Sequence, residues 1–263
     1  QSLARAMLGE APAREHPVAS STTQGRVALR AEGVSVPSRR DPSRDAVVDA
    51  SLVVRAGELV GVVALEGSGQ RELLLALAGL QPIRSGTLSA DPPVALIPED
   101  RTTEGLIPEF TLTQNVALGF DAEAPWVRRG RWIDWGGARA RTAGLIEEFD
   151  VRAPGPDIAA ASLSGGNQQK LVLGRALARN PRVLIAEHLT RGLDLQAAAA
   201  LHDRGRATGG GGVAVVVYST DLDEILQLAQ RVVVVARGRV TEAPPGADRE
   251  AVGRMMLAVE GER

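Results

Sequence analysis

Leu163-Ser164-Gly165-Gly166-Asn167-Gln168-Gln169-Lys170 is the stretch on which the reading of this chain turns. Its paired glycines leave backbone N–H groups uncovered, Ser164 adds a hydroxyl, and the apolar, alanine-rich run Leu171 to Ala178 reads as a helix starting just after them. Uncovered N–H groups at a helix start attract anions, with the helix dipole adding to the effect. A serine-capped helix behind a glycine turn accounts for any single Ser-Gly-Gly. Eight residues in this order are far rarer, and the rest of the chain tests what they mean.

Length and composition set the bounds. At 263 residues, with 44% hydrophobic and 24% charged residues, the chain is long enough for one large domain or a domain with a subdomain. A net charge of −2 gives no reason to expect nucleic acid as a partner. The absence of cysteine excludes disulfides and thiolate metal sites. Apolar runs such as Leu59 to Leu65, Val213 to Tyr218 and Val232 to Ala236 are strand-sized, far below the roughly 18 to 20 residues that span a bilayer, so a membrane role is peripheral. Gln1 to Glu10 contain Arg5 but no long apolar region, which argues against a secretory signal.

Working outward, alternation predicts strands over Val27 to Val36 and Val47 to Val54, then a buried strand Leu59 to Leu65. A glycine-rich turn and a leucine-rich helix, Glu72 to Leu80, follow in the order of a phosphate loop. Val94 to Ile97 is a short strand ending in Pro98-Glu99-Asp100-Arg101, and Leu112 to about Phe149 reads as helical, with the three tryptophans Trp126, Trp132 and Trp135. Beyond the opening stretch come a strand Val183 to Ala186, a helix from about Gln196 to Arg206, a strand Val213 to Tyr218, a helix Leu222 to Leu228 and a strand Arg231 to Ala236. Strands alternating with helices predict a mainly parallel sheet covered on both faces. Residues 1–24 read as a linker or the tail of a preceding domain, and 244–263 as a helical tail. Arg254-Met255-Met256-Leu257 matches Arg5-Ala6-Met7-Leu8, which is either an internal repeat or a coincidence of short amphipathic pieces.

Leu163 to Lys170 resembles the signature motif of ATP-binding-cassette (ABC) ATPases, and its Asn-Gln-Gln-Lys tail resembles the form found in importers of simple sugars and nucleosides. The resemblance extends from about Val27 to Val240, with motifs in the family's order. It implies an α/β P-loop NTPase fold: a β subdomain, a mainly parallel RecA-like core sheet, and an inserted helical subdomain at about 104–163 within a nucleotide-binding domain of 25–243. It further implies the second half of a tandem ATP-binding protein at the cytoplasmic face of the membrane. The partners would be another nucleotide-binding domain, transmembrane permease subunits and, indirectly, a solute-binding protein. ATP and Mg²⁺ would be the cofactors, mainly at the partner half's site.

The family's chemical stations are unevenly filled. The loop Gly67-Ser68-Gly69-Gln70-Arg71-Glu72 has Gln70 where Lys neutralises phosphates, and Arg71 where a hydroxyl ligates Mg²⁺. Lys170 is the only lysine, so no shifted register restores it. Arg71 can add charge, though a planar guanidinium does not replace a compact ammonium. At the next station Glu187 stands at the metal-shell position and His188 in place of the catalytic Glu; His188 is either a general base or a substituted, non-catalytic position. Thr220 stands at the switch histidine, where a hydroxyl hydrogen-bonds but carries no charge. Glu99 lies near the glutamine of the Q-loop, and is otherwise a salt-bridged turn. Thr190 to Asp194 resembles the D-loop that touches the opposing site, and Val34 to Arg40 offers no aromatic for adenine. The family sandwiches each ATP between one domain's phosphate loop and the other's signature. Ser164, Gly165, Gly166, Gln168 and Asp194 are accordingly expected to serve a partner's nucleotide, with this chain weakly active or inactive alone. The alternative is a non-catalytic half that only dimerises and contacts the membrane subunits.

Overall fold

Alternation near the start of the chain is realised as a long antiparallel hairpin. The computed structural model describes residues 25–118, 127–128, 132–187 and 212–257. Strands β1 (Val27–Pro37) and β2 (Asp45–Arg55) pair from Val27 opposite Arg55 to Pro37 opposite Asp45. They bury Leu29, Ala31, Val34 and Val36 on the first strand, and Val47, Ala50, Leu52 and Val54 on the second. Strand β3 (Leu59–Ala64) is buried at every position. It leads through the glycine turn into α1 (Gln70–Leu77), which buries Leu73, Leu74, Ala76 and Leu77. Strand β4 (Ser85–Ala90) takes the free edge of β1, giving a three-stranded sheet in the order β2-β1-β4, and β5 (Val94–Ile97) follows.

Ile97–Pro181 forms a compact unit of its own. It opens with a wide helical turn, Arg101–Gly105, in which the Gly105 N–H reaches the Asp100 carbonyl at 3.3 Å. Helix α2 (Leu112–Leu118), the hairpin of β6 (Val127–Arg128) and β7 (Trp132–Ile133), helix α3 (Trp135–Glu148), a 3₁₀ turn at Ala160–Ser162 and helix α4 (Gly165–Ala178) complete it. The other unit resumes with β8 (Val183–Glu187), β9 (Ala214–Tyr218), α5 (Leu222–Leu228), β10 (Arg231–Ala236), β11 (Arg239–Glu242) and α6 (Arg249–Leu257).

The six-stranded sheet runs β11-β10-β3-β9-β8-β5, with β10, β3, β9 and β8 mutually parallel and β11 antiparallel to β10. Strands β8 and β9 are buried throughout, as expected of parallel strands covered on both faces. One apolar cluster joins Leu29, Val34 and Val54 to Val62, Leu73, Ile185 and Val216, so the two sheets and α1 share a core.

The expected fold class is therefore present: a β sheet, a mainly parallel core sheet and a helical unit. Differences lie in the weakly patterned segments. Strand β4, Ser-Gly-Thr-Leu-Ser-Ala, carries no apolar alternation and is largely exposed; the open hydrogen-bonding edge of β1 makes it a strand. Strand β11 has no counterpart among the expected strands. Arg237 and Gly238, with φ of 49° and 79°, form the left-handed two-residue turn whose twist suits a hairpin. The β6–β7 hairpin interrupts a region read as helical from Leu112 to Phe149. Helix α4 begins at Gly165 rather than after the glycines. Residues 1–24, Trp126, the helix expected at Gln196 to Arg206 and residues 258–263 lie outside the described residues.

A charged pin ties the start of β3 to β10. Arg231 Nη1 donates to Glu58 Oε1 at 2.5 Å and to the Val53 carbonyl at 3.0 Å. Its outer face bonds Glu242 at 2.8 and 2.7 Å. Glu58 is 1% exposed and also accepts from the Arg55 N–H at 2.7 Å. Removing one partner of a buried pair leaves the other charge desolvated, whereas an exposed arm contributes little. Arg231→Met is expected to lower the unfolding free energy by about 3 kcal/mol, and Glu242→Gln by under about 1 kcal/mol, read from urea denaturation. Equal losses in the two variants would refute the assignment of the stabilisation to Glu58.

Candidate functional site

The phosphate-loop candidate follows β3. Its curvature comes from Gly67 and Gly69, with φ of 80° and 93°. Gly69 is irreplaceable on two counts, because a Cβ there would also collide with the Ala46 carbonyl oxygen. The loop is tied down by the Ser68 N–H donating to the Leu65 carbonyl at 3.1 Å and the Gly238 N–H donating to the Ser68 carbonyl at 2.9 Å. Gly69 caps α1 without a side-chain hydrogen bond to its first turn. The loop shape of a phosphate cradle is thus present.

Its side chains do something else. Gln70 is 7% exposed, and its Nε2 donates to the Tyr218 hydroxyl at 3.4 Å. Gln70 Oε1 is buried with no hydrogen-bond partner among the described residues. An amide turned towards β9 therefore fills the position from which a lysine would reach phosphate. Arg71 is partly buried, with its Nε out of solvent, and Glu72 Oε1 accepts from the Arg39 N–H at 3.4 Å. Glu187 ends β8, 3% exposed and opposite Tyr218 in the β8–β9 ladder. Thr220 lies exposed two residues past Tyr218, between Ser219, whose Oγ accepts from the Asp221 N–H at 3.1 Å, and Asp221, which caps α5. The structure thus brings Gln70, Tyr218 and the Glu187 position together, with Thr220 outside that set. His188 and Thr190 to Asp194, including Asp194, lie outside the described residues. Among the described residues no group of three or more His, Cys, Asp or Glu could hold a metal ion. Arg71 at the hydroxyl position does not fit an Mg²⁺ ligand.

In the unit Ile97–Pro181 the signature stretch is differently equipped. Ser164 caps the 14-residue helix α4 with extended backbone, φ −63° and ψ 155°, but makes no side-chain bond to its first turn. The exposed Ser164 Oγ instead accepts from Asn167 Nδ2 at 2.9 Å, which leaves its own proton to donate. Gly166 is exposed, and a Cβ there would meet nothing within 4 Å. Gly165 is closely approached: a Cβ would stand 2.5 Å from Arg101 Nη2. Gln168 points back into its own unit, Nε2 donating to the Ala160 carbonyl at 3.1 Å. Open N–H groups, an exposed hydroxyl and a helix start make an anion-accepting surface. Glu99 is exposed in the turn before Asp100. Asp100 is locked by the hydroxyls of Thr102 at 2.6 Å and Thr103 at 2.7 Å, which hold its carboxyl well below the usual carboxylate range.

The ABC transporter family model matches residues 47–190, more than half of the chain. The chain belongs to the ABC transporter family. It is 37% identical over 223 residues to the nucleoside import ATP-binding protein NupA of Lactococcus lactis, covering 79% of this chain and 44% of the relative. Identity is 36% to the glucose import ATP-binding protein TsgD13 of Haloferax volcanii, covering 88% and 45%. To the guanosine import ATP-binding protein NupO of Bacillus subtilis it is 34%, covering 88% and 48%. The chain thus spans about half the length of these curated relatives, 44 to 48%. Among solved structures, the ATP-binding subunit of an ABC transporter superposes with a TM-score of 0.62 at 22% identity, covering 89% of this chain and 95% of that one. The dimeric cassette MJ0796 bound to ADP and Pi superposes with a TM-score of 0.64 at 20% identity, covering 84% and 99%. These likenesses establish the ABC fold.

Within this ABC domain, the contacts of Tyr218, Asp100 and Arg101 were not foreseen in the sequence. Tyr218 had one usable signal, being the only tyrosine in the chain and lying two residues before Thr220. The sole lysine proves structural in its contacts: Lys170 Nζ donates to the Asp150 carbonyl at 2.8 Å and to Asp150 Oδ2 at 2.9 Å, fastening α4 to the end of α3. That bond holds the Asp150 carboxyl below its ordinary value. A carboxyl lowered on folding stabilises above the unfolded value, and the contribution is lost as pH falls through the folded one. Thermal melts of Lys170→Met and the parent are expected to differ at neutral pH, the gap narrowing as acid protonates Asp150. A gap independent of pH would assign the role of Lys170 to the Asp150 carbonyl alone.

Proposed function

We propose that this chain is the ATP-binding, energy-coupling domain of an ABC importer for simple sugars or nucleosides, and that it completes a partner domain's ATP site while its own phosphate loop is degenerate. The class of solute rests on relatives named for nucleoside, glucose and guanosine import. One contrast supports the asymmetry: Ser164 and Gly166 are exposed at a helix start whose N-cap makes no side-chain bond to the first turn, whereas Gln70 is buried against Tyr218. The partner is a second nucleotide-binding domain, in the same chain or another. Membrane permease subunits and a solute-binding protein complete the importer. Among the described residues no helix is long and apolar enough to cross a membrane.

ATP, when bound in the partner, supplies the terminal phosphoryl group. Ser164 donates its hydroxyl proton, and the first-turn N–H groups at Gly165 and Gly166 donate theirs, towards the charge that develops on that group. Gln168 holds the turn through Ala160. At this chain's own loop, backbone N–H groups from Gly67 to Arg71 attract phosphate weakly, without the lysine and hydroxyl that hold Mg-ATP. Glu187 remains as an acidic group beside that loop, and His188 and Thr220 stand in for the family's catalytic pair.

Two measurements test this reading. The chain alone is expected to hydrolyse Mg-ATP at background rate, and Gln70→Lys with Arg71→Ser to raise its Mg-ATP affinity about tenfold or more; family-like, Mg²⁺-dependent turnover by the unaltered chain would remove the degenerate site. In the complete two-domain protein, Ser164→Ala with Gly166→Asp is expected to lower the ATPase rate about 100-fold. An intact rate with impaired assembly would instead favour a domain that only dimerises and contacts the membrane subunits.

A further inference from the structure

Arg101 is the most unexpected side chain in the unit Ile97–Pro181. Its guanidinium lies over Gly165, with Nη2 2.5 Å and Cζ 3.4 Å from where a Cβ would stand. Nη1 donates to Gln169 Oε1 at 3.3 Å, and Nε is buried without a hydrogen-bond partner among the described residues. A cation at the positive end of a helix is unfavourable by itself, and a buried unpartnered N–H adds to the cost. Local features that oppose stability are characteristic of functional positions.

The turn carrying Arg101 is anchored along the same helix. Arg175, on α4, donates from Nη2 to the Gly105 carbonyl at 2.6 Å and from Nη1 to the Asn115 carbonyl at 3.1 Å. A Cβ on Gly105 would stand 3.2 Å from Val172, also on α4. Asp100 closes the start of the turn through Thr102 and Thr103. The turn that follows Glu99 is therefore attached to α4 at both ends, and Arg101 is its contact with the first turn.

We infer that Arg101 is a positioning residue for the signature turn, a latch that carries the orientation of the Pro98–Arg101 turn to the N–H groups of Gly165 and Gly166. The inference rests on the proposal that these groups serve a partner domain's ATP. Gly165 is then required because only a residue without Cβ admits the guanidinium. The guanidinium also adds positive potential beside a surface that receives a phosphoryl group.

Gly165→Ala gives a direct handle, since the displaced atoms are the far end of a flexible side chain and the fold loses little. The test compares Arg101→Met, Gly165→Ala, the double variant and Gly166→Asp in the complete two-domain protein, by kcat, KM for Mg-ATP and thermal midpoint. Arg101→Met and Gly165→Ala are each expected to lower kcat about tenfold or more, with KM and the midpoint unchanged. The double variant is expected to be no slower than Arg101→Met alone, because both changes remove one contact. Arg101→Met with full kcat, while Gly166→Asp is impaired, overturns the latch and leaves the signature reading standing. Full activity in both overturns the two together. A midpoint that falls in step with kcat, or single effects that multiply, also overturns it by reducing Arg101 to a structural support.

Discussion

The parallel ladder that places β3 between β10 and β9 is the constraint on which the rest of the larger unit depends. Val62 lies opposite Tyr218 and Val233, and Glu187 opposite Tyr218 on the next strand, so β3, β8 and β9 present their carboxyl ends, Ala64, Glu187 and Tyr218, on the same side of the sheet. Loops that follow parallel strands collect at those carboxyl ends, which is where open α/β sheets place their ligands. The phosphate loop inherits its position from this pairing. Its shape is then finished by the Gly238 turn of the β10–β11 hairpin, which bonds the Ser68 carbonyl.

At those strand ends the fold and the chemistry part company. Backbone requirements of a phosphate cradle are met by Gly67 and Gly69 in left-handed conformations and by an α1 start free of side-chain caps. Side-chain requirements are not, since Gln70 bonds Tyr218 and Arg71 replaces a hydroxyl. In the unit Ile97–Pro181, Ser164 and Gly166 are exposed at a helix start whose N-cap makes no side-chain bond to the first turn. Backbone geometry tolerates such drift because the glycines that shape the loop are separate residues from those that bind charge.

Much of this was legible without coordinates because the signals are local. Buried parallel strands such as Leu59–Ala64, Val183–Glu187 and Ala214–Tyr218 are continuous apolar runs, and the glycine turn after the first of them reads directly as a loop. Segments whose structure depends on a neighbour were not legible. Strand β4 has no pattern and exists because β1 presents an edge; the β6–β7 hairpin hides among helical residues. Helix α4 reaches back over two poor helix formers, a start that propensity disfavours.

The sequence by itself determined the family, the order of the stations, and which residue types are missing from them, because each is a matter of identity and spacing along the chain. A single lysine at Lys170 already rules out a lysine in the phosphate loop. Only the tertiary structure decided where these side chains point: Gln70 towards Tyr218, 148 residues away, Lys170 onto Asp150, and Arg101 over Gly165. Those directions are set by hydrogen bonds and close contacts between distant segments, and nothing in the local pattern of residues encodes them.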